Sequence, residues 1–178
     1  MTAANPARIV LQVALDYVDT SRALRCAREA MAGGADVLEV GTPLLKAEGL
    51  DAVRALHAEF PRTRIVCDAK TMDAGRAEME IAAKAGASIA TVLGVASDQT
   101  IQECIQAGRN YGIDVYVDLL GHPDPEARAR QAAAWGAAYV GVHCPIDEQM
   151  AGRDPFDMLR RVAGAVSIPV AVAGGLNS

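Results

Sequence analysis

The chain has 178 residues, 51% of them hydrophobic and only 4% aromatic, enough to bury one core packed by small aliphatic side chains and within the size of a single domain, residues 1–178. A formal net charge of −5 without any long Lys/Arg run excludes the electrostatic footprint of a nucleic-acid binder. Residues 1–8 are polar and no apolar run approaches about 18 residues, so no leader or membrane contact is expected and a soluble, cytoplasmic protein is.

In chain order, residues 9–15 form the first apolar run, closed by Asp16. Asp19 or Thr20 is placed to cap a helix that stops at Gly33-Gly34. Residues 36–40 are the second strand, with Glu39 near its end, and residues 64–69 the third, ending in Asp68 and Lys70. Asp73 is placed to cap a helix ending near Gly86. Residues 88–93 make the fourth strand, and Asp98 is placed to cap a helix ending near Gly112. Residues 114–119 are the fifth strand, with Asp118; Asp124 precedes Pro125 at the first turn of a helix ending at Gly136. Residues 138–143 are the sixth, ending in His143, and residues 169–173 the seventh, running into Gly174-Gly175.

These strands recur roughly every 24–31 residues, the length of one βα unit. Three junctions also resemble one another, Gly34-Ala35-Asp36, Gly86-Ala87-Ser88 and Gly136-Ala137-Ala138, at a spacing of about fifty residues that indicates a doubled repeat. Near-continuous apolar strands between helices mean a parallel sheet covered on its faces. Seven consecutive units, with no GxGxxG after the first strand, favour a (β/α)8 TIM barrel over a doubly wound sheet. Because the chain stops after the seventh strand, the barrel is expected to lack its last βα unit.

Catalytic groups of a parallel barrel gather at the C-terminal strand ends. Asp16, Glu39, Asp68, Lys70, Asp118 and His143 all fall there, so six ionisable residues from five strands are expected to ring one mouth. Asp68 and Lys70, two apart, share one side of a strand. Asp68-Ala69-Lys70-Thr71-Met72-Asp73 is an alternating charge array that can hold a cation and polarise a substrate oxygen. Glu39 and Asp68 form a hard, all-oxygen pair suited to Mg²⁺, with water and substrate filling its other positions; zinc would prefer histidine or thiolate. Gly174 and Gly175 leave backbone amides bare after the seventh strand, a common phosphate position. Cys26, Cys67, Cys104 and Cys144 show neither CxxC nor metal spacing and read as reduced core thiols.

With these residues in place the sequence, from Val10 to Asn177, resembles the 3-hexulose-6-phosphate synthases of the orotidine-monophosphate decarboxylase superfamily. The stretches that carry the likeness are Leu11-Gln12-Val13-Ala14-Leu15-Asp16, Glu39-Val40-Gly41-Thr42-Pro43 with Glu48-Gly49, Asp68-Ala69-Lys70-Thr71-Met72-Asp73-Ala74-Gly75, Thr91-Val92-Leu93-Gly94, Val117-Asp118-Leu119, His143 with Asp147-Glu148-Gln149, and Val172-Ala173-Gly174-Gly175. The resemblance implies reversible aldol condensation of formaldehyde with the phosphosugar D-ribulose 5-phosphate through a magnesium-stabilised enediolate, in a homodimer with shared active sites. It implies that Glu39 and Asp68 bind Mg²⁺, that Lys70 contacts the enediolate oxygen, and that Asp73 crosses into the partner's site. It further implies that Asp16 orients substrate, that His143 moves the proton at the reacting carbon, and that Asp118, Gly174 and Gly175 bind substrate, the glycines its phosphate.

Sister activities differ at single positions. The orotidine decarboxylases share the Asp-x-Lys-x-x-Asp array but place a lysine where this chain has Glu39, and need no metal. The 3-keto-L-gulonate-6-phosphate decarboxylases share Glu39 but typically carry a glutamate at the position of Asp118 and an arginine three residues after His143, where this chain has Ile146. That contrast favours the synthase, with the decarboxylase as the alternative. A non-catalytic dimerising fragment, or one part of a larger fused polypeptide, is the contrasting expectation.

Overall fold

The computed structural model describes residues 9–176; Asn177, where the resemblance ends, and residues 1–8 lie outside the described residues. The elements are β1 (Gln12–Leu15), α1 (Thr20–Ala32), β2 (Val37–Val40), α2 (Thr42–Glu48), α3 (Asp51–Glu59), β3 (Arg64–Thr71), α4 (Gly75–Lys84), β4 (Ile89–Leu93), α5 (Asp98–Tyr111), β5 (Asp114–Asp118), α6 (Pro125–Trp135), β6 (Tyr139–His143), α7 (Ile146–Met150), α8 (Phe156–Ala165) and β7 (Val170–Ala173). All seven expected strands form. They pair in parallel in the order β1-β2-β3-β4-β5-β6-β7. A sheet whose spatial order follows chain order, without the reversal of a doubly wound sheet, is a TIM-barrel wall. Among the described residues β7 does not pair with β1, so the barrel is open at that seam.

Strand alternation divides the side chains into two sets. Outward residues such as Leu38, Val40, Ile65, Val92 and Val117 meet the helices in one large core, where Ala23, Ala27, Ala82, Ala129 and Ala132 let the helices approach closely. Inward residues fill the barrel in layers. Arg64 of β3 donates to the Tyr139 hydroxyl (2.6 Å) and pairs with Asp114 at the lower rim. Above them Val37, Val66, Ile89 and Tyr116 form a separate apolar cluster. Gly141 belongs to that layer because a Cβ there would lie 2.0 Å from the Tyr116 hydroxyl oxygen. The polar residues described below make the top layer.

Three expectations about element ends are corrected. The first strand starts at Gln12 rather than residue 9: Gln12 pairs with Val37, the first residue of β2, and before it Ile9 is 91% exposed. Asp19 and Asp124 cap their helices, accepting from the N–H of Arg22 and of Ala127. Asp73, however, does not cap α4. Ala74 holds the N-cap position at φ +51, without a side-chain cap bond, and Asp73 spends its carboxylate on the N–H of Ala74 (2.7 Å). Nor does Asp98 cap α5. Ser97 does so through the N–H of Thr100, and Asp98 in the first turn holds Arg128 Nη1 at 2.6 Å.

Candidate active site

Asp68 and Lys70 come from a stretch of β3 that departs from regular pairing. Against β4, Cys67 pairs with Ala90 but Thr71 with Val92, so three residues of β3 face one of β4. Lys70 there adopts φ +49, a left-handed conformation that costs a non-glycine residue on the order of 1–3 kcal/mol. The turn brings its side chain back over the strand: Nζ lies 3.1 Å from Asp68 Oδ1, 3.0 Å from Asp68 Oδ2 and 3.0 Å from Asp118 Oδ2. Asp68 and Lys70 thus share one side as expected, but through a bulge rather than plain alternation.

Each carboxylate is fixed by further donors. Thr42 gives its hydroxyl to Asp68 Oδ2 (2.9 Å) and the Asp68 carbonyl (2.8 Å). Thr91 donates to Asp68 Oδ1 (2.9 Å) and accepts the Lys70 N–H (2.9 Å). Asp118 Oδ1 accepts from the N–H of Leu120, while Oδ2 faces His143 Nδ1 at 3.3 Å. Glu39 is held by the Gln12 amide. Asp16 occupies the space beside Gly41, where a Cβ would lie 2.0 Å from its Oδ1.

The electrostatics follow from this crowding. For Asp118 burial is the largest influence and raises the pKa, yet the bond from His143, the charge of Lys70 and the Leu120 N–H together outweigh it and hold the carboxyl below its ordinary value. Lys70 is likewise disfavoured most by burial, but Asp118 and Asp68 overcome it and raise its pKa. Both groups are therefore charged. Burial first, then repulsion from Asp68, pushes Glu39 up to about 7, against the opposing Gln12 bond and Lys70 charge. Asp16 is raised by burial and by Asp68. The mouth holds more negative charge than its one lysine neutralises.

The structure brings Asp16, Glu39, Asp68, Lys70, Asp118 and His143 together at the mouth, each within bonding or electrostatic reach of at least one other. Asp73 is not among them; it is exposed, two residues before α4. Gly174 and Gly175 follow β7 with φ +80 and +70, and a Cβ on Gly174 would lie 2.2 Å from the Cys144 carbonyl. Sequence reasoning gave no role to Gln12, Thr42 or Thr91. The signal was a polar side chain at an inward strand position or strand end. The four cysteines are free, and three are buried; burial pushes Cys67 and Cys104 up to about 12, consistent with inert core thiols.

Residues 10–172 match the model of the orotidine 5'-phosphate decarboxylase / HUMPS family. The chain belongs to this family. Among members of the family, the 3-hexulose-6-phosphate synthase of Methylomonas aminofaciens is 43% identical over 167 residues, which are 93% of this chain and 79% of that protein. The crystal structure of 3-hexulose-6-phosphate synthase from Salmonella typhimurium superimposes with a TM-score of 0.90 at 38% identity, over 94% of this chain and 80% of that one. The 3-keto-L-gulonate-6-phosphate decarboxylase of Vibrio cholerae follows the same backbone with a TM-score of 0.84 at 30% identity, over 94% and 78% of the two chains. Family membership with synthase relatives at this identity makes the chain a lyase-type enzyme of carbon–carbon bond formation and cleavage. No helix among the described residues is long and apolar enough to cross a membrane.

Proposed function

We propose that the chain is a cytoplasmic, magnesium-dependent 3-hexulose-6-phosphate synthase that adds formaldehyde to D-ribulose 5-phosphate reversibly. The observation that carries the proposal is the chain of contacts His143–Asp118–Lys70–Asp68, which sets a proton-transfer group and a fixed positive charge side by side at the barrel mouth. An ionised carboxylate only accepts, so His143 donates from Nδ1 to Asp118 and keeps Nε2 for proton transfer. Removing a proton from C1 of ribulose 5-phosphate leaves an enediolate. The Lys70 ammonium, already fixed, offsets the charge that develops on its oxygen without reorganising. C1 then bonds the formaldehyde carbon as the C2 carbonyl reforms, and the formaldehyde oxygen becomes the new hydroxyl by taking back, from His143 Nε2, the proton that this nitrogen removed from C1.

The donor set fits Mg²⁺. Glu39 and Asp68 offer only hard oxygens, and the burial and then the repulsion from Asp68 that raise Glu39 are what a cation offsets. Among the described residues no group of three or more His, Cys, Asp or Glu is arranged to hold a metal; the two carboxylates would share the ion with water and substrate oxygens, as Mg²⁺ accepts. When bound, the ion supplies Lewis-acid stabilisation of developing oxyanion charge. The positive-φ glycines Gly174 and Gly175 would receive the phosphate, Asp16 would orient the sugar, and Asp73, exposed and unused in its own site, would act in the partner of a homodimer.

The decarboxylase alternative shares the backbone. Against it, position 146, where those enzymes typically carry arginine, is an isoleucine at the first turn of α7, 65% exposed, which offers no charge to deliver a proton. Measuring kcat/KM for both reactions on one preparation tests the assignment. Formaldehyde consumption in the presence of ribulose 5-phosphate and Mg²⁺ is expected to exceed carbon dioxide release from 3-keto-gulonate 6-phosphate by at least about a hundredfold; a decarboxylase value equal to or above the aldolase value would sink it.

A further inference from the structure

Thr91 lies on the inward face of β4 and is 2% exposed. It is the single β4 residue opposite Asp68, Ala69 and Lys70, because Cys67 pairs with Ala90 and Thr71 with Val92. Through those three residues β3 loses regular main-chain pairing, and the N–H of Lys70 turns to the Thr91 hydroxyl instead (2.9 Å). A hydroxyl has one proton and two lone pairs. Thr91 accepts from Lys70 and sends its own proton to Asp68 Oδ1 (2.9 Å), so one oxygen atom joins the backbone of the lysine to the carboxylate that the lysine's own Nζ contacts (3.1 and 3.0 Å). Thr42 pins the other Asp68 oxygen but reaches Lys70 by no hydrogen bond among the described residues.

We infer that Thr91 is a positioning residue, whose hydroxyl pegs the left-handed turn at Lys70 and so sets Nζ between Asp68 and Asp118. It acts through Lys70 and Asp68 rather than by touching substrate. A valine at 91 has the same shape and no hydroxyl; it would leave the Lys70 N–H without its acceptor and Asp68 Oδ1 without a donor. The turn, at an unfavourable φ, would then relax and carry the ammonium away from Asp118.

Two readouts test this, and only the second rests on the proposed aldolase activity. The chain has three lysines, Lys46, Lys70 and Lys84, of which Lys46 and Lys84 are exposed and serve as internal standards. Trace acetylation of the folded protein with acetic anhydride, read peptide by peptide by mass spectrometry, should find Lys70 the slowest. Thr91→Val should speed Lys70 relative to the other two by about fivefold or more, the population change expected for one lost hydrogen bond, and Thr91→Ser should leave it as in the parent. In turnover, Thr91→Val should lower kcat about tenfold to a hundredfold with little change in sugar-phosphate KM, and Thr91→Ser should restore most of it.

Parent-like Lys70 acetylation in Thr91→Val overturns the inference. So does a serine variant as impaired as the valine variant, because the methyl would then be what matters. If Thr91→Val does not fold, Thr91→Ala takes its place; failure of both while Thr91→Ser folds would make the hydroxyl a requirement of folding rather than of lysine position, which also overturns it. A parent protein without aldolase activity whose Lys70 acetylation still responds to Thr91→Val would refute the proposed function and leave the role of Thr91 standing.

Discussion

The two ends of the barrel interior use the same strands and the same residue alternation to opposite effect. At the lower rim Arg64 and Asp114 balance each other one to one, with Tyr139 taking a second guanidinium proton, and both charged side chains are 45% exposed. At the mouth Asp16, Glu39, Asp68 and Asp118 surround one lysine, and the Asp118 side chain is only 4% exposed. A closed pair in water gains little and needs nothing more. An unbalanced buried set is unstable by itself and is retained where a ligand, cation or developing charge completes it. The difference marks the mouth as the working end.

The comparison breaks most severely where the excess charge itself is altered. Glu39→Ala or Asp68→Ala should abolish turnover, as should exhaustive chelation of divalent ions, with Mg²⁺ restoring the parent protein but neither variant. Coupled assays of formaldehyde consumption check this, and undiminished turnover after chelation would remove magnesium from the mechanism. Next in size is Asp73→Ala, expected to be inactive although Asp73 lies outside its own ring. Mixed by subunit exchange with equally inactive Lys70→Ala, it should recover about a quarter of parent activity, since half the dimers would be mixed and each would hold one intact site. No recovery would make Asp73 only a local ligand of the Ala74 N–H.

Gly41→Ala sharpens the contrast within the mouth. Its Cβ would collide with Asp16 Oδ1 at 2.0 Å, so the carboxylate must swing away, and kcat/KM should fall about tenfold to a hundredfold with the melting temperature little changed. Arg64→Ala should do least: kcat/KM as in the parent and a loss of stability within about 1 kcal/mol by urea titration. A large fall in activity from Arg64→Ala would mean that the two ends are coupled and that the division drawn above is wrong.

Most of the fold is legible in the sequence, because buried parallel strands are written as short apolar runs and the helices between them end on glycines such as Gly112 and Gly136, both at positive φ. Strand-end charges are legible for the same reason: once the strand is placed, its end is placed. The ends of helices are less so. Ser97 and Asp98 are both good caps, and only packing against Arg128 decides which is spent on the helix. Least legible is the turn at Lys70. Nothing in the residue type announces positive φ for lysine or alanine, so the bulge that aims Lys70, and the threonine that holds it, emerge only when β3 is laid against β4. No helix is placed between β2 and β3 from the sequence, where Gly49 at φ +64 closes α2 just before α3 begins.

Gly75 packs so closely on α5 that a Cβ would lie 2.6 Å from both the Thr100 carbonyl and Cys104 Sγ, and five residues earlier the Lys70 N–H is fastened to β4. The segment between these two anchors carries Asp73. Clamped at both ends to the following strand and helix, it surrenders its conformational entropy when the protein folds, not when substrate arrives. Both ends of the Asp-x-Lys-x-x-Asp array are thus ordered before any ligand arrives, and the free energy of ligand binding is left for the chemical step.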